Sequence, residues 1–254
     1  MPVDRDFAQG RLTVDFATEP FDSAPRALVR ASRLYVSNLP FLAAITVLVY
    51  LPVKLAVQLA CHLLDVPTDG ILSYSLLEIG DLVLSALVIP AAIYGLMEKL
   101  RTGKTAGLRD SLRWGRRQWV RVLWNKFKVE ITIALWGLLL IVPGIMAMAR
   151  LALTDAIVSI EADRESDPLQ RSTVLSKGRR WRILLVVAVF AVVDLVGGAL
   201  VLGASSRVGF ALADCALAVL EQWFTAAVLV MYLGTVKGTP DCGAALPGRR
   251  RFST

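Results

Sequence analysis

The sequence predicts an all-α membrane protein with six transmembrane helices, arranged as three repeats of an amphipathic interfacial helix followed by a helical hairpin. Three observations lead to this prediction. Hydrophobic residues make up 56% of the 254-residue chain, which exceeds the roughly 45–50% of an average soluble domain. Apolar runs recur along the chain at lengths that suit membrane spans, and its positive charge is concentrated in the segments that flank them.

The apolar runs set the boundaries of a predicted membrane domain that covers residues 24–236. A helix needs about 20 apolar residues to cross a hydrocarbon core of about 30 Å, and the third and fourth runs fall slightly short of that length. The predicted spans are residues 39–63, 76–97, 129–142, 145–160, 183–203 and 208–236. Residues 1–23 and 237–254 are predicted to be cytosolic tails, and the second is expected to be disordered.

A Pro-Gly pair separates the third and fourth runs. Pro143 lacks a backbone donor, and Gly144 readily takes the conformations that reverse a chain. We therefore predict a hinge at these two residues, with one apolar helix on each side.

The distribution of Lys and Arg predicts the topology. Residues 98–128 carry ten Lys or Arg and two acids, so the positive-inside rule assigns this stretch to the cytoplasm. With six spans, both termini and the second basic stretch, residues 164–182, fall on the same side. The link at residues 62–75 contains no Lys or Arg and falls outside.

A basic amphipathic segment precedes each pair of spans. The three segments read RALVRASRLYVSNLP, GLRDSLRWGRRQWVRVL and PLQRSTVLSKGRRWRILL. We interpret them as helices that lie at the headgroup level, with docking of a cytosolic partner as the alternative. The predicted interfacial anchors are Trp114, Trp119, Trp124, Trp181, Arg116, Arg117, Arg179 and Arg180.

Ionisable side chains inside the predicted spans are the candidate site residues, because an unpaired charge in hydrocarbon is costly. Lys54 and Asp81 lie almost equally far from the turn of the first hairpin, so we expect them to face each other. Arg150 and Asp214 lie at similar depths, which favours an ion pair between repeats, with a lipid phosphate as the alternative partner of Arg150. The ionisable residues considered in the spans are Lys54, Glu78, Asp81, Arg150, Asp155, Asp194, Asp214 and Glu221. Those selected as candidate site residues are Arg150, Asp214, Lys54, Asp81, Asp155 and Asp194.

The sequence predicts no catalytic residue, no metal site and no cofactor. His62 is the single histidine, and the three cysteines lack the spacing of metal ligands. Nucleic acid is excluded as a partner because the net charge of +7 lies next to apolar runs, where it sets topology and attracts anionic lipid.

One stretch carries a family resemblance. Its residues are Pro143-Gly144-Ile145, Arg150, Asp167-Pro168, Ser172, Lys177-Gly178 and Trp181-Arg182. With them the chain resembles the YciC-like family of bacterial inner-membrane proteins, which is related to the membrane domain of some glycerophosphoryl diester phosphodiesterases. The motif covers residues 138–185, and the pattern of spans extends the similarity to residues 24–236. The chain departs from the family at Leu153-Thr154-Asp155, where Phe and Pro often follow the Arg.

The resemblance implies a location in the bacterial inner membrane and six spans, and the charge pattern adds cytoplasmic termini. We expect a non-enzymatic integral membrane protein that organises, binds or helps to move lipid or envelope components. The alternative is a small transporter or channel subunit that uses the intramembrane charges. The expected partners are anionic membrane lipids, and the sequence leaves open a second copy of the chain or a cytosolic protein on the basic loops.

Overall fold

The structure, a computed structural model, describes residues 23–64, 71–139, 141–161, 167–202 and 207–237. Helices dominate this part of the chain, and no β-strand occurs in it, so the predicted all-α class is confirmed. The helices are α1 (Ala24–Ser37), α2 (Leu39–Leu63), α3 (Ile71–Thr102), α4 (Leu108–Leu139), α5 (Ile141–Leu151), α6 (Thr154–Ile160), α7 (Pro168–Leu175), α8 (Arg180–Leu202) and α9 (Arg207–Lys237). Except at residues 23 and 237, both predicted tails lie outside the described residues.

Five segments are long and apolar enough to cross a membrane: Leu39–Leu63, Ile79–Thr102, Pro143–Ile160, Arg180–Val201 and Val208–Val236. They correspond to five of the six predicted spans, and they make the chain a multi-pass membrane protein. The remaining prediction, residues 129–142, falls mainly on α4. The last 18 residues of that helix still contain Lys126, Lys128 and Glu130, and this charge keeps α4 from qualifying. Six spans and the three-fold repeat therefore stay predictions.

Helix α1 packs on protein, whereas an interfacial helix would bury its apolar face in lipid. Its buried residues recur every three or four positions, as one face of a helix requires, and they join the main core: Ala24, Ala27, Ala31 and Leu34. Two hydrogen bonds fix α1 to α9, from Trp223 Nε1 to Ser32 Oγ at 3.0 Å and from Tyr35 Oη to the Val219 carbonyl at 3.1 Å. Burial raises the pKa of Tyr35, so its phenol keeps the proton that it donates.

Helix α4 runs without a break from the basic segment into the third apolar run, which the sequence analysis had separated. Proline is absent from its 32 residues, so nothing removes a hydrogen bond from the helix interior. Gly115 lets α4 approach α3 closely, because a Cβ there would lie 2.6 Å from the Leu87 carbonyl oxygen. The second basic segment is therefore the first half of a long helix packed on α3.

The predicted hinge at Pro143-Gly144 is wrong in position. Helix α4 ends at Leu139 and α5 begins at Ile141, so both residues lie in the first turn of α5. Proline is tolerated there because the first N–H groups of a helix have no partner within it. Gly144 instead allows close packing, since a Cβ on it would lie 2.8 Å from Gly137 Cα in α4.

The segment Pro143–Ile160 is not one straight helix. A turn at residues 152–153 separates α5 from α6, and α6 is buried against α3, α4 and α9. Helix α7 then starts at Pro168, with the Asp167 carboxylate accepting a hydrogen bond from the Leu169 N–H at 3.3 Å.

The last two helices differ in how far the protein covers them. Half of the α9 span is buried, whereas only 11% of the α8 span is. The two helices pack through Phe190 and Phe224, whose rings stack with centroids 4.3 Å apart. Helix α8 therefore exposes most of its apolar surface on the outside of the molecule.

Candidate functional site within the membrane spans

Lys54 lies near the middle of the α2 span and is 2% exposed. Its Nζ is 2.5 Å from Asp81 Oδ1 on α3 and 2.5 Å from Asp214 Oδ2 on α9. A buried ammonium group is tolerated when carboxylates neutralise it, and loss of a partner then leaves a costly charge behind. One side chain thus ties three membrane helices together.

The two carboxylates differ in their surroundings. The Asp81 side chain is 41% exposed and that of Asp214 is 18% exposed. The ring of Tyr50, one turn before Lys54 on α2, lies 5.9 Å from Nζ. Tyr50 thus covers the site on the side of α2, whereas the site is exposed at the surface of the protein beside Asp81.

Further charges surround this triad. Ser85, one turn after Asp81, accepts a hydrogen bond from Lys126 Nζ of α4 at 2.8 Å. Glu221 lies on the face of α9 that carries Asp214, and it is within electrostatic range of four other charged side chains: Asp81, Lys126, Asp194 and Asp214. We call the six residues Lys54, Asp81, Lys126, Asp194, Asp214 and Glu221 the charge cluster.

The composition of the charge cluster limits its chemistry. Four carboxylates face two ammonium groups, so the cluster carries an excess of two negative charges when all groups are ionised. Such an arrangement can hold helices together, and it can take up protons or a cation. Among the described residues, no group of three or more His, Cys, Asp or Glu is placed to hold a metal ion.

Comparisons of the chain with protein-family models, with curated proteins and with solved structures give no match. The resemblance to the YciC-like family therefore stays a prediction.

The structure brings together some of the predicted site residues. Lys54 and Asp81 meet as their depths in the first hairpin predict. Asp214, expected opposite Arg150, contacts Lys54 instead. The reason is packing: α9 lies against α2, whereas α5, which carries Arg150, packs on α4, α7 and α8.

The other predicted residues stand apart from the triad. Arg150 is exposed, and its carbonyl oxygen accepts a hydrogen bond from Ser172 Oγ of α7 at 2.7 Å. Asp155 lies in the first turn of α6, outside the charge cluster, and its carbonyl accepts a hydrogen bond from Ser159 Oγ at 2.7 Å. Asp194 is exposed on α8 at the edge of the cluster.

Lys126 and Tyr50 were not predicted as site residues, and Glu221 was predicted as an intramembrane charge without a place in the site. For Glu221 a signal existed, because residues seven apart, such as Asp214 and Glu221, lie on one face of a helix. Lys126 was assigned to a cytoplasmic loop by its basic neighbours, and only the continuous α4 brings it beside Ser85.

Two predicted interfacial anchors contact α3, Trp114 as a buried residue and Trp119 as a half-buried one. The Trp114 ring stacks on Tyr94 with centroids 5.5 Å apart, and Trp119 Nε1 donates to the Val83 carbonyl at 3.0 Å. Both side chains pack against α3. Five residues turn an α-helix by about 500°, so Trp114, Trp119 and Trp124 point in three different directions. Their role as interfacial anchors stays a prediction.

The remaining predicted anchors are mostly on the surface. Trp124 is 57% exposed, stacks on Phe127 and lies 5.6 Å beneath Lys128 Nζ. Trp181, at the start of α8, is 76% exposed. Arg116 and Arg117 are exposed, Arg180 is half-buried, and Arg179 donates to the Thr235 carbonyl at 3.3 Å.

Proposed function

We propose that this chain is a non-enzymatic inner-membrane protein of bacteria that binds and organises anionic lipid at the cytoplasmic leaflet. The observation that supports this proposal is the exposed face of α4. That face begins with basic residues and continues with mainly apolar and aromatic residues, among which Lys128 also lies, in the order Arg109, Arg113, Arg116, Arg117, Val120, Trp124, Phe127, Lys128 and Ile131.

The change along α4 from basic to mainly apolar side chains matches the change from headgroups to hydrocarbon at a membrane surface. Indole rings prefer the headgroup level, where their apolar body meets lipid and their polar edge meets water. Trp124 occupies the point of change, with Arg116 and Arg117 two turns earlier on the side assigned to the cytoplasm. Each Lys or Arg near an anionic leaflet contributes about 1 kcal/mol of attraction.

The start of α8 supports the same reading. Trp181 is flanked by Lys177, Arg180 and Arg182, and the predicted topology assigns them to the same leaflet as the basic end of α4. Two surfaces of like chemistry on one leaflet favour binding of several anionic headgroups. The resemblance to the YciC-like family agrees with this proposal without testing it.

Native mass spectrometry in mild detergent tests the proposal. Arg116→Gln together with Arg117→Gln should lower the amount of co-purified anionic phospholipid several-fold, because two cations leave the headgroup region. The matched control, Arg116→Lys with Arg117→Lys, keeps the charge and should retain most of the lipid. Equal lipid content in the Gln variant and in the original protein would overturn the proposal.

A second candidate function is a small transporter or channel subunit, and the charge cluster favours it. Asp81, Lys126, Asp194 and Glu221 lie around a buried ion triad that is open on one side. In liposomes, proton or monovalent cation flux that is lost in Asp81→Asn and kept in Glu130→Gln would support this candidate. Absence of flux in the original protein would remove it.

A further inference from the structure

Two side-chain contacts fix how α8 lies against α9. The Phe190 and Phe224 rings stack with centroids 4.3 Å apart, and a Cβ on Gly197 would overlap the Leu217 side chain. Residue numbers rise along α8 from the first contact to the second, whereas they fall along α9. The two helices are therefore antiparallel, and their register is known.

Asp194 and Glu221 lie between these two contacts. On each helix the acid follows one contact residue by four positions and precedes the other by three. Spacings of three and four keep side chains on one face of a helix. Because both helices are right-handed and antiparallel, equal offsets fall on the same side of the contact. The two carboxyl groups therefore lie opposite each other at one level of the bilayer.

The electrostatics agree with this placement. Asp194 acts on Glu221 more strongly than any other described charged group does, and three further groups act on it: Asp81, Lys126 and Asp214. Among the residues that the structure describes, neither Asp194 nor Glu221 has a cation within 4.0 Å. Lys126 Nζ donates to Ser85 Oγ at 2.8 Å, and it can neutralise at most one of the two acids.

The other helices around the pair supply no counter-ion to it. Helix α8 also packs on α5 and α1. The charged residues of these two helices neither act on Glu221 nor form an ion pair with Asp194, and they are Arg150, Arg26, Arg30 and Arg33. From α2, the Tyr50 phenol is within electrostatic range of Glu221.

Both acids lie well inside membrane spans. Asp194 is seven residues, and Glu221 thirteen residues, from the nearer end of its span. At 1.5 Å per residue these positions are about 10 Å and about 20 Å from the span ends. Two neighbouring carboxylates in a medium of low dielectric constant repel each other, and one of them takes up a proton instead.

We propose that Asp194 and Glu221 make the contact between α8 and α9 depend on a proton. While the pair shares one proton, a hydrogen bond between a carboxyl group and a carboxylate joins the two helices. When that proton leaves, two carboxylates oppose each other, and α8 separates from α9. The chain joins the two helices near Leu202 and Arg207, so the separation occurs at the other end of α8. The inference does not depend on lipid binding.

Helix α8 is the span that such a change can move. Its buried share is 11%, against 33–56% for the other candidate spans. Helix α9 is held in place by the ion pair of Asp214 with Lys54 of α2 and by the hydrogen bond from Trp223 to Ser32 of α1. Repulsion within the acid pair therefore displaces α8 and leaves α9 where it is.

Distances between spin labels test the inference in lipid nanodiscs, after replacement of the native cysteines. The labels are attached at Leu48→Cys of α2 and Leu185→Cys of α8, both exposed positions. Raising the pH from about 5 to about 9, which spans the titration range documented for buried carboxyl groups, should lengthen this distance by several ångströms. The sign follows from linkage, because the shared proton holds the contact at low pH and is lost as the pH rises.

A second label pair is the control for a general loosening of the protein. Leu48→Cys with Val120→Cys joins α2 to α4, and both positions are exposed. Neither helix belongs to the contact, so this distance should stay constant between the two pH values. An unchanged distance from Leu48 to Leu185 would overturn the proposal, as would an equal lengthening of the control distance.

Substitutions decide whether the acid pair causes the response. Asp194→Asn and, separately, Glu221→Gln leave a single carboxyl group, so each should abolish the response to pH. Asp194→Glu keeps two acids and should keep it, as should Asp155→Asn, the matched control in α6. A response that persists in both Asp194→Asn and Glu221→Gln would overturn the proposal. A cooperative thermal transition shows that each variant is folded.

Discussion

Lys54 of α2 forms ion pairs with residues of two other membrane helices, α3 and α9. Its ammonium group has a carboxylate from α3 on one side and a carboxylate from α9 on the other, both at 2.5 Å. Because three helices share this contact, a change at any one of the three residues leaves charge on the other two. The effect of a substitution therefore depends on how many partners are removed together.

The first prediction concerns this triad. Lys54→Met should lower the free energy of unfolding by about 3–5 kcal/mol, because it leaves two neighbouring carboxylates without a cation. In a chain of this size that corresponds to a melting temperature roughly 6–20 °C lower in detergent. Adding Asp81→Leu alone should recover little, since Asp214 stays unpaired, whereas adding both Asp81→Leu and Asp214→Leu should recover most of the loss.

The two carboxylates provide an internal comparison. Asp214→Asn should destabilise more than Asp81→Asn, because the Asp214 side chain is 18% exposed and that of Asp81 is 41% exposed, so the pair with Asp214 is the more buried one. Recovery by the Lys54→Met, Asp81→Leu pair alone would mean that Asp214 does not share the contact.

One of the two ion pairs in this triad could be predicted from the sequence. Lys54 and Asp81 belong to one hairpin, and equal distances from a turn fix equal depths in two antiparallel helices. Asp214 belongs to a different hairpin, and its match to Lys54 depends on which helices are neighbours. Depth alone paired it with Arg150, because depth does not say that α9 packs on α2.

At the scale of the helix, α4 combines two predicted elements. The sequence separated a basic interfacial helix from an apolar span because charge and hydropathy change between them. Neither change breaks a helix, because a change of charge or hydropathy removes no backbone hydrogen bond. The hinge was predicted at Pro143-Gly144 because proline often ends a helix. In α5, however, Pro143 lies in the first turn, where proline does not end a helix.

The second prediction tests the contact of α4 with α3. Gly115→Ala should lower the free energy of unfolding by about 1–3 kcal/mol, because a Cβ 2.6 Å from the Leu87 carbonyl oxygen meets backbone that cannot rotate away. Gly80→Ala is the matched control, since a Cβ on Gly80 meets nothing within 4 Å. That control should be neutral or slightly stabilising. Equal melting temperatures for the two variants would contradict the close approach.

At the scale of the whole molecule, the number of membrane spans, odd or even, decides whether the two termini lie on the same side of the membrane. Five described segments qualify as spans, and an odd number places the two termini on opposite sides of the membrane. If α4 also crosses, the number is even, and both basic stretches share the cytoplasmic side as the positive-inside rule predicts. The five apolar spans could be predicted from composition. Helix α4 could not be assigned as a span in the same way, because it carries charges beyond its basic half.

The third prediction settles this parity. With the native cysteines replaced, single cysteines at Lys104 and Lys177 should both resist an impermeant thiol reagent in intact cells, because six spans place both in the cytoplasm. A cysteine at Asp69 is the matched positive control and should be labelled from outside. If α4 does not cross, Lys104 and Lys177 lie on opposite sides, and one of the two becomes labelled.

The buried lysine also imposes an order on biogenesis. Asp81 follows Lys54 by 27 residues, but Asp214 follows it by 160 residues. At about 5–20 residues per second of synthesis, α9 leaves the ribosome roughly 8–32 s after α2. Asp81 of the nascent α2–α3 hairpin is thus available as a counter-ion when Lys54 enters the bilayer. When α9 arrives, Asp214 adds the second carboxylate to an ion pair that Lys54 and Asp81 have already formed.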